Sequence, residues 1–217
     1  MTATPTSAPL SGRKAQAARN DEVILSAARE VFLADPGAPI SAVAQAAGVG
    51  MSALYRRYPS KEDLIRRLCE IGLQTYIDLA EACVNDDGDP WEAFATFMRR
   101  AVAAHTNALT LRLAGTFTPD QKLYDMSEYA GTLNATLFER TQAAGVIRAD
   151  VEVSDLGLIF EQIAGIAYGA DAERAATLRQ RSLALILEGL RADPPTMDLP
   201  GPGVTDEEFA ARWIPRP

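Results

Sequence analysis

Between positions 51 and 61 the chain gathers Met51, Ser52, Tyr55, Arg56, Arg57 and Lys61. A hydroxyl, a phenol, two guanidiniums and an ammonium are the groups that meet phosphate oxygens, and arginine also reads base edges. If residues 51–58 form a helix, Leu54 and Tyr58 share one face, being four apart, and Met51, Ser52, Tyr55 and Arg56 fall on the other. The outer face would then fit a major groove, with Lys61 beside it at the start of the next helix.

The flanking residues supply the elements that would hold such a face. Asn20-Asp21-Glu22 reads as a helix start, a cap followed by acids suited to the positive end of the helix dipole. Ile24, Ala28, Val31 and Phe32 follow at helical spacing, and Asp35 to Pro39 breaks that helix. A second helix is expected from Ile40 or Ser41 to Ala47, ended by Gly48 in the left-handed conformation. A third runs from Met51 to Tyr58 and closes at Pro59. Ser60-Lys61-Glu62-Asp63 is a capping box opening a long helix through Leu64, Leu68, Leu73 and Tyr76. Helix, short glycine turn, helix is the helix-turn-helix pattern, with Val43, Ala44, Ala47, Val49, Leu54 and Tyr58 turned inward.

These segments resemble the DNA-binding domain of the TetR family of regulators. The resemblance rests on Val23 to Phe32, AVAQAAGVG at 42–50 and SALYRRYPSKEDL at 52–64, with Ala47-Gly48-Val49, Leu54-Tyr55, Arg56-Arg57, Tyr58 and Ser60-Lys61-Glu62 at the family's spaced positions. It implies phosphate contacts for Tyr55, Lys61 and Arg57, and groove contacts for Met51, Ser52 and Arg56. Two positions depart from the pattern. Gly50 stands where the family usually has Ser or Thr capping the recognition helix, and Pro39 where a Thr opens the second helix. Each removes a hydroxyl that would meet phosphate.

Charge is distributed in the same sense. The whole chain is at −8, yet residues 1–67 hold nine Lys/Arg against six Asp/Glu, and residues 68–217 hold twelve against twenty-three. Arg13, Lys14 and Arg19 belong to residues 1–19, a polar arm expected to be flexible, which would reach a minor groove or remain a solvated tail. The head is expected at 20–66, a helical body at 67–191, and a Pro-rich tail at 192–217.

The body shows helical spacing and no strand pattern. Asp89-Pro90-Trp91-Glu92 starts one helix, and a break at Thr116 to Pro119 precedes another from Asp120 to Ala144, stopped by Gly145. Further helices are expected from Ser154 to Tyr168 and from Ala172 to Leu190. Gly145, Arg148, Asp150 and Asp155-Leu156 resemble TetR-family C-terminal domains, which implies the fold more than the ligand. The expected class is therefore all-α.

In that family the body pairs two subunits and senses a small molecule. Leu156, Phe160, Ile163, Ala167, Leu178 and Leu185 are the expected contacts of a homodimer, a buried helix of one chain being the other reading. Phe97, Met98, His105, Phe117, Tyr124 and Phe160 are the expected lining of an apolar effector pocket, against a plain core and a satisfied histidine. The implied mechanism is a repressor on a near-palindromic operator in double-stranded DNA, released when a small apolar or amphipathic ligand shifts the separation of two heads. The alternative is a helical ligand-binding or interaction protein with a vestigial head.

Other chemistry finds little material. One histidine leaves no histidine-based triad or zinc cluster, no phosphate loop or Gly-x-Ser-x-Gly elbow is present, and no catalytic residue or cofactor is expected. Aligning Gly88 with the sixth position of a calcium loop puts Phe94 where the glutamate ligand belongs. Cys69 and Cys83 on one helix would lie roughly 21 Å apart, too far for a disulfide. With no apolar run near membrane length and no apolar leader region, a reduced cytoplasmic protein is expected.

Overall fold

The computed structural model describes residues 12–104, 106–167, 171–192, 198–205, 207, 208 and 211. Of the expected flexible arm, residues 1–11 lie outside the described residues while 12–19, with Arg13, Lys14 and Arg19, belong to α1; His105 and most of the tail from 206 onward also lie outside. The described elements are α-helices: α1 (Gly12–Ala34), α2 (Ile40–Ala47), α3 (Met51–Arg57), α4 (Lys61–Val84), α5 (Pro90–Ala103), α6 (Thr106–Leu113), α7 (Gln121–Ala143), α8 (Asp155–Ala164) and α9 (Ala172–Leu190). An isolated antiparallel bridge joins Ile147 to Arg191. The chain divides into two compact units between Leu64 and Ile65, within α4.

In the first unit, α1 begins at Gly12 rather than at Asn20. The stretch Arg13 to Arg19 is rich in alanine, lysine, arginine and glutamine, all good helix formers, so the helix extends backward through the expected cap. Ile24, Ala28 and Phe32 of α1 are buried, with Val43 and Ala44 of α2 and Leu54 of α3. Full burial of a side chain such as Leu54 or Phe32 contributes about 1.5–3 kcal/mol each.

In the second unit the helix limits follow local signals. Asp89 accepts from the Glu92 N–H at 2.9 Å, Asp120 from Leu123 at 3.0 Å and Asp171 from Arg174 at 2.8 Å, so each aspartate caps the helix it precedes. Arg140 caps the other end of α4, donating to the carbonyls of Cys83, Val84 and Asp86 at 2.9–3.0 Å. The core is built on aromatic contacts: Tyr76, Phe97 and Phe160 meet edge to face with centroids 5.2–6.2 Å apart, and Trp91, Phe94 and Phe138 continue the row. The Tyr76 hydroxyl donates to Asn134 Oδ1 at 2.7 Å, and burial pushes its pKa above the ordinary range. Cys69 and Cys83 are free and buried, and burial pushes the Cys69 thiol up to about 12. Among the described residues, no helix is long and apolar enough to cross a membrane.

Candidate DNA-binding interface

Three local devices fix α3. The turn before it is a Schellman motif: Gly48 has φ 64°, its N–H donates to Gln45 O at 3.2 Å, and the Val49 N–H donates to Ala44 O at 3.0 Å. On its inner side, Leu54 and Tyr58 are buried. At its end, Asp21 of α1 accepts from Arg57 Nε at 2.7 Å, Arg57 Nη2 at 2.8 Å and the Tyr58 hydroxyl at 2.7 Å. A seven-residue helix is too short to persist by itself, so these contacts determine its direction.

Ser52, Tyr55 and Arg56 are exposed, Tyr55 by 47%, while Met51 is half-buried. The structure thus brings the expected outer face together, with Met51 at its inner margin. Arg57 is also exposed on this helix, but its guanidinium is held in the bidentate pair with Asp21 and stacks over the Tyr58 ring at 5.4 Å. Those hydrogen bonds hold its pKa above the ordinary guanidinium range. Its position therefore serves the placement of α3 as well as any phosphate. Asp21, expected as an acid at a helix start, instead lies inside α1 and carries this tie. A sequence signal for that role is the helical spacing that puts Asp21 on the same side of α1 as Ile24 and Ala28.

Lys61 opens α4. Its Nζ donates to Pro36 O at 3.0 Å and lies 5.2 Å from the Phe32 ring centroid. Among the described residues no carboxylate pairs with the ammonium, and one of its three N–H donors is used on the carbonyl. The capping box is present in altered form: Asp63 N–H donates to Ser60 Oγ at 3.0 Å and Ser60 Oγ donates to Asp63 Oδ2 at 2.7 Å. Gly50 and Pro39 occupy the N-cap positions of α3 and α2 and offer no side-chain cap.

The second unit corrects part of the expected interface and leaves most of the expected pocket residues buried. Leu156, Phe160 and Ile163 are buried within the single chain, along with Ile159. These four form one helical stripe that packs on the aromatic core, so they are not a surface for a second copy. Ala167 is exposed, Leu178 half-buried, and Leu185 is 69% exposed. Helix α8 also ends at Ala164, before the expected Tyr168, which lies outside the described residues. Of the expected pocket lining, Phe97, Met98, Phe117 and Phe160 are buried in the core, with Phe97 and Phe160 in ring contact at 6.2 Å. Tyr124 is 52% exposed instead. Two open clefts in this unit have other walls: one of about 440 Å³ between α5 and α9, and one of about 240 Å³ lined by Arg67, Glu70, Ile71, Gln74, Thr75, Lys122 and Met126.

A short helix anchored on one side, exposed and partly basic on the other, and preceded by a glycine turn from a second helix defines a helix-turn-helix head. The family profile described as bacterial regulatory proteins, tetR family, matches residues 24–68, and the profile described as transcriptional regulator SbtR-like, C-terminal domain, matches residues 89–192. Similar solved structures include the TetR transcriptional regulator SCO0520 from Streptomyces coelicolor, 26% identical, covering 81% of this chain and 99% of that one with a TM-score of 0.54. A TetR regulatory protein from Mycobacterium vanbaalenii is 26% identical, covering 82% and 98% with a TM-score of 0.53. The TetR family protein CprB from S. coelicolor A3(2) is 20% identical, covering 83% and 92% with a TM-score of 0.59. No curated protein matches the chain. The chain belongs to the TetR family of DNA-binding transcriptional regulators.

Proposed function

We propose that this chain is a repressor that binds a near-palindromic operator as a homodimer and is released by a small apolar or amphipathic molecule. The head, residues 20–66, presents Met51, Ser52, Tyr55 and Arg56 to the major groove, with Tyr55, Arg57 and Lys61 on flanking phosphates. The body, residues 67–191, pairs two copies and holds the effector. The observation that carries this reading is the row Ser52, Tyr55, Arg56, exposed on a helix whose other side is pinned by Leu54, Tyr58 and Asp21.

Pairing is supported by the outer side of α9. Leu178, Ser182, Leu185 and Gly189 lie at spacings of four and three, and the space beside Gly189 is open. Two such helices, crossing closely over small residues, with α8 beside them, would form a four-helix interface. Sensing is supported by the clefts of the second unit, and a γ-butyrolactone receptor and a regulator in complex with proflavine are among the similar folds. A ligand acts on DNA only through different affinities for the two arrangements of the heads.

The experiment is fluorescence anisotropy with duplex DNA from upstream of the chain's own reading frame, across a range of salt. A steep fall of log affinity with log salt is expected, and a flat slope would overturn phosphate-led binding. The uncapped N-termini of α2 and α3 favour a second reading, a ligand-binding protein with a vestigial head. No saturable binding to any such duplex would favour that reading.

A further inference from the structure

Arg179 is the buried charged residue among those described in the second unit, 9% exposed on α9. Its Nη1 donates to Ile166 O at 3.0 Å, its Nε has no hydrogen-bond partner, and no carboxylate among the described residues pairs with it. Arginine stays protonated in proteins, so the site holds an uncompensated charge that calls for an anion. Burial pushes its pKa down from the ordinary range, as expected for a guanidinium without a counterion.

The same residue lines the cleft of about 440 Å³ between α5 and α9, with Val102, Ala103, Ala176, Thr177 and Gln180. The other polar wall groups each make one bond to backbone. Thr177 Oγ1 donates to Glu173 O at 3.1 Å, and Gln180 Nε2 donates to Arg99 O at 3.1 Å. Arg179 is the one charged residue of a wall that is otherwise apolar or neutral. The volume lies toward the lower end of the range for small-molecule sites.

We infer that the α5–α9 cleft binds a small amphiphilic carboxylate, its carboxylate paired with Arg179 and its aliphatic body against Val102, Ala103 and Ala176. A planar guanidinium matches a carboxylate in a two-bond fork, which a neutral alcohol cannot reproduce. This names the class of molecule for the effector proposed above and rests on that reading only for any consequence at DNA.

The test uses the full chain without DNA, titrated calorimetrically with octanoate and, separately, with 1-octanol. Octanoate is expected to bind one per chain, at least about tenfold more tightly than 1-octanol. Arg179→Met, close in volume, should bring the two ligands level by weakening octanoate alone. Ala176→Trp, an exposed wall position, should weaken both, and it carries the test if the arginine variant fails to fold. Equal affinity of the native chain for the two ligands would overturn the inference. So would octanoate binding untouched by Ala176→Trp, or no binding at millimolar octanoate, as when a second copy covers the cleft. A chain that binds octanoate but no operator would keep this inference and refute the regulator reading. A chain that binds operator but not octanoate would do the reverse.

Discussion

At the scale of single residues, the side chains that resemble DNA contacts divide into those that only face outward and those that also hold the head. Tyr55 and Arg56 are exposed, whereas Arg57 is tied to Asp21 and Lys61 to Pro36. Tyr55→Phe should weaken all duplexes alike and lower the salt slope little, since a neutral phenol releases no counterion. Arg56→Ala should weaken binding and also relax base preference, by about 1–3 kcal/mol at the affected base pair if its contact is bidentate. Anisotropy against a panel of single-base operator variants checks both. Asp21→Asn should destabilise the head by about 1–2 kcal/mol, from one hydrogen bond to a phenol and a partly exposed ion pair. Thermal unfolding reads that cost. Lys61→Ala needs the same control, because it also removes the contacts to Pro36 and Phe32.

Helices and the turns between them follow mainly local chemistry. The sequence expects a helix from about 40 to 47 and another from Met51, and α2 and α3 occupy 40–47 and 51–57. Gly48 carries that agreement, because only a residue without Cβ enters φ 64° without strain. Gly48→Ala should cost about 1–2 kcal/mol of head stability. It should also lower operator affinity by misdirecting α3, as anisotropy would show. Gly50 differs: its φ is −70° and an added Cβ would meet nothing within 4 Å. Gly50→Ser should therefore add a cap worth a few tenths of a kcal/mol and a hydroxyl near phosphate. Tighter operator binding with a slightly raised Tm is the expected result. Where local signals are weak, the expected limits differ. No glycine or proline marks the end of α5 at Ala103, so nothing local sets α6 apart as a separate helix.

At the scale of the whole molecule, apolar residues serve the core, the pairing of copies and the binding of ligands, and their type does not say which. Leu156, Phe160 and Ile163 are core, while Leu185 faces outward. Leu185→Glu should leave the monomer fold intact, since it alters an exposed position, yet shift the chain from dimer to monomer by analytical ultracentrifugation. Operator affinity should fall with it, because two heads on one duplex act at a high effective concentration. An unchanged dimer would remove this face of α9 from the proposed interface.

The sequence by itself determined the helical class, the glycine turn and the order of groups along the recognition helix. Those depend on neighbours within a few positions, where capping, periodicity and left-handed glycine operate. Only the tertiary structure decided that Asp21 would hold Arg57 and Tyr58, that Phe97, Met98 and Phe160 would fill a core, and that Arg179 would lie buried beside a cleft. Each joins residues far apart in the chain, and burial depends on which helices meet, a property that no local spacing encodes.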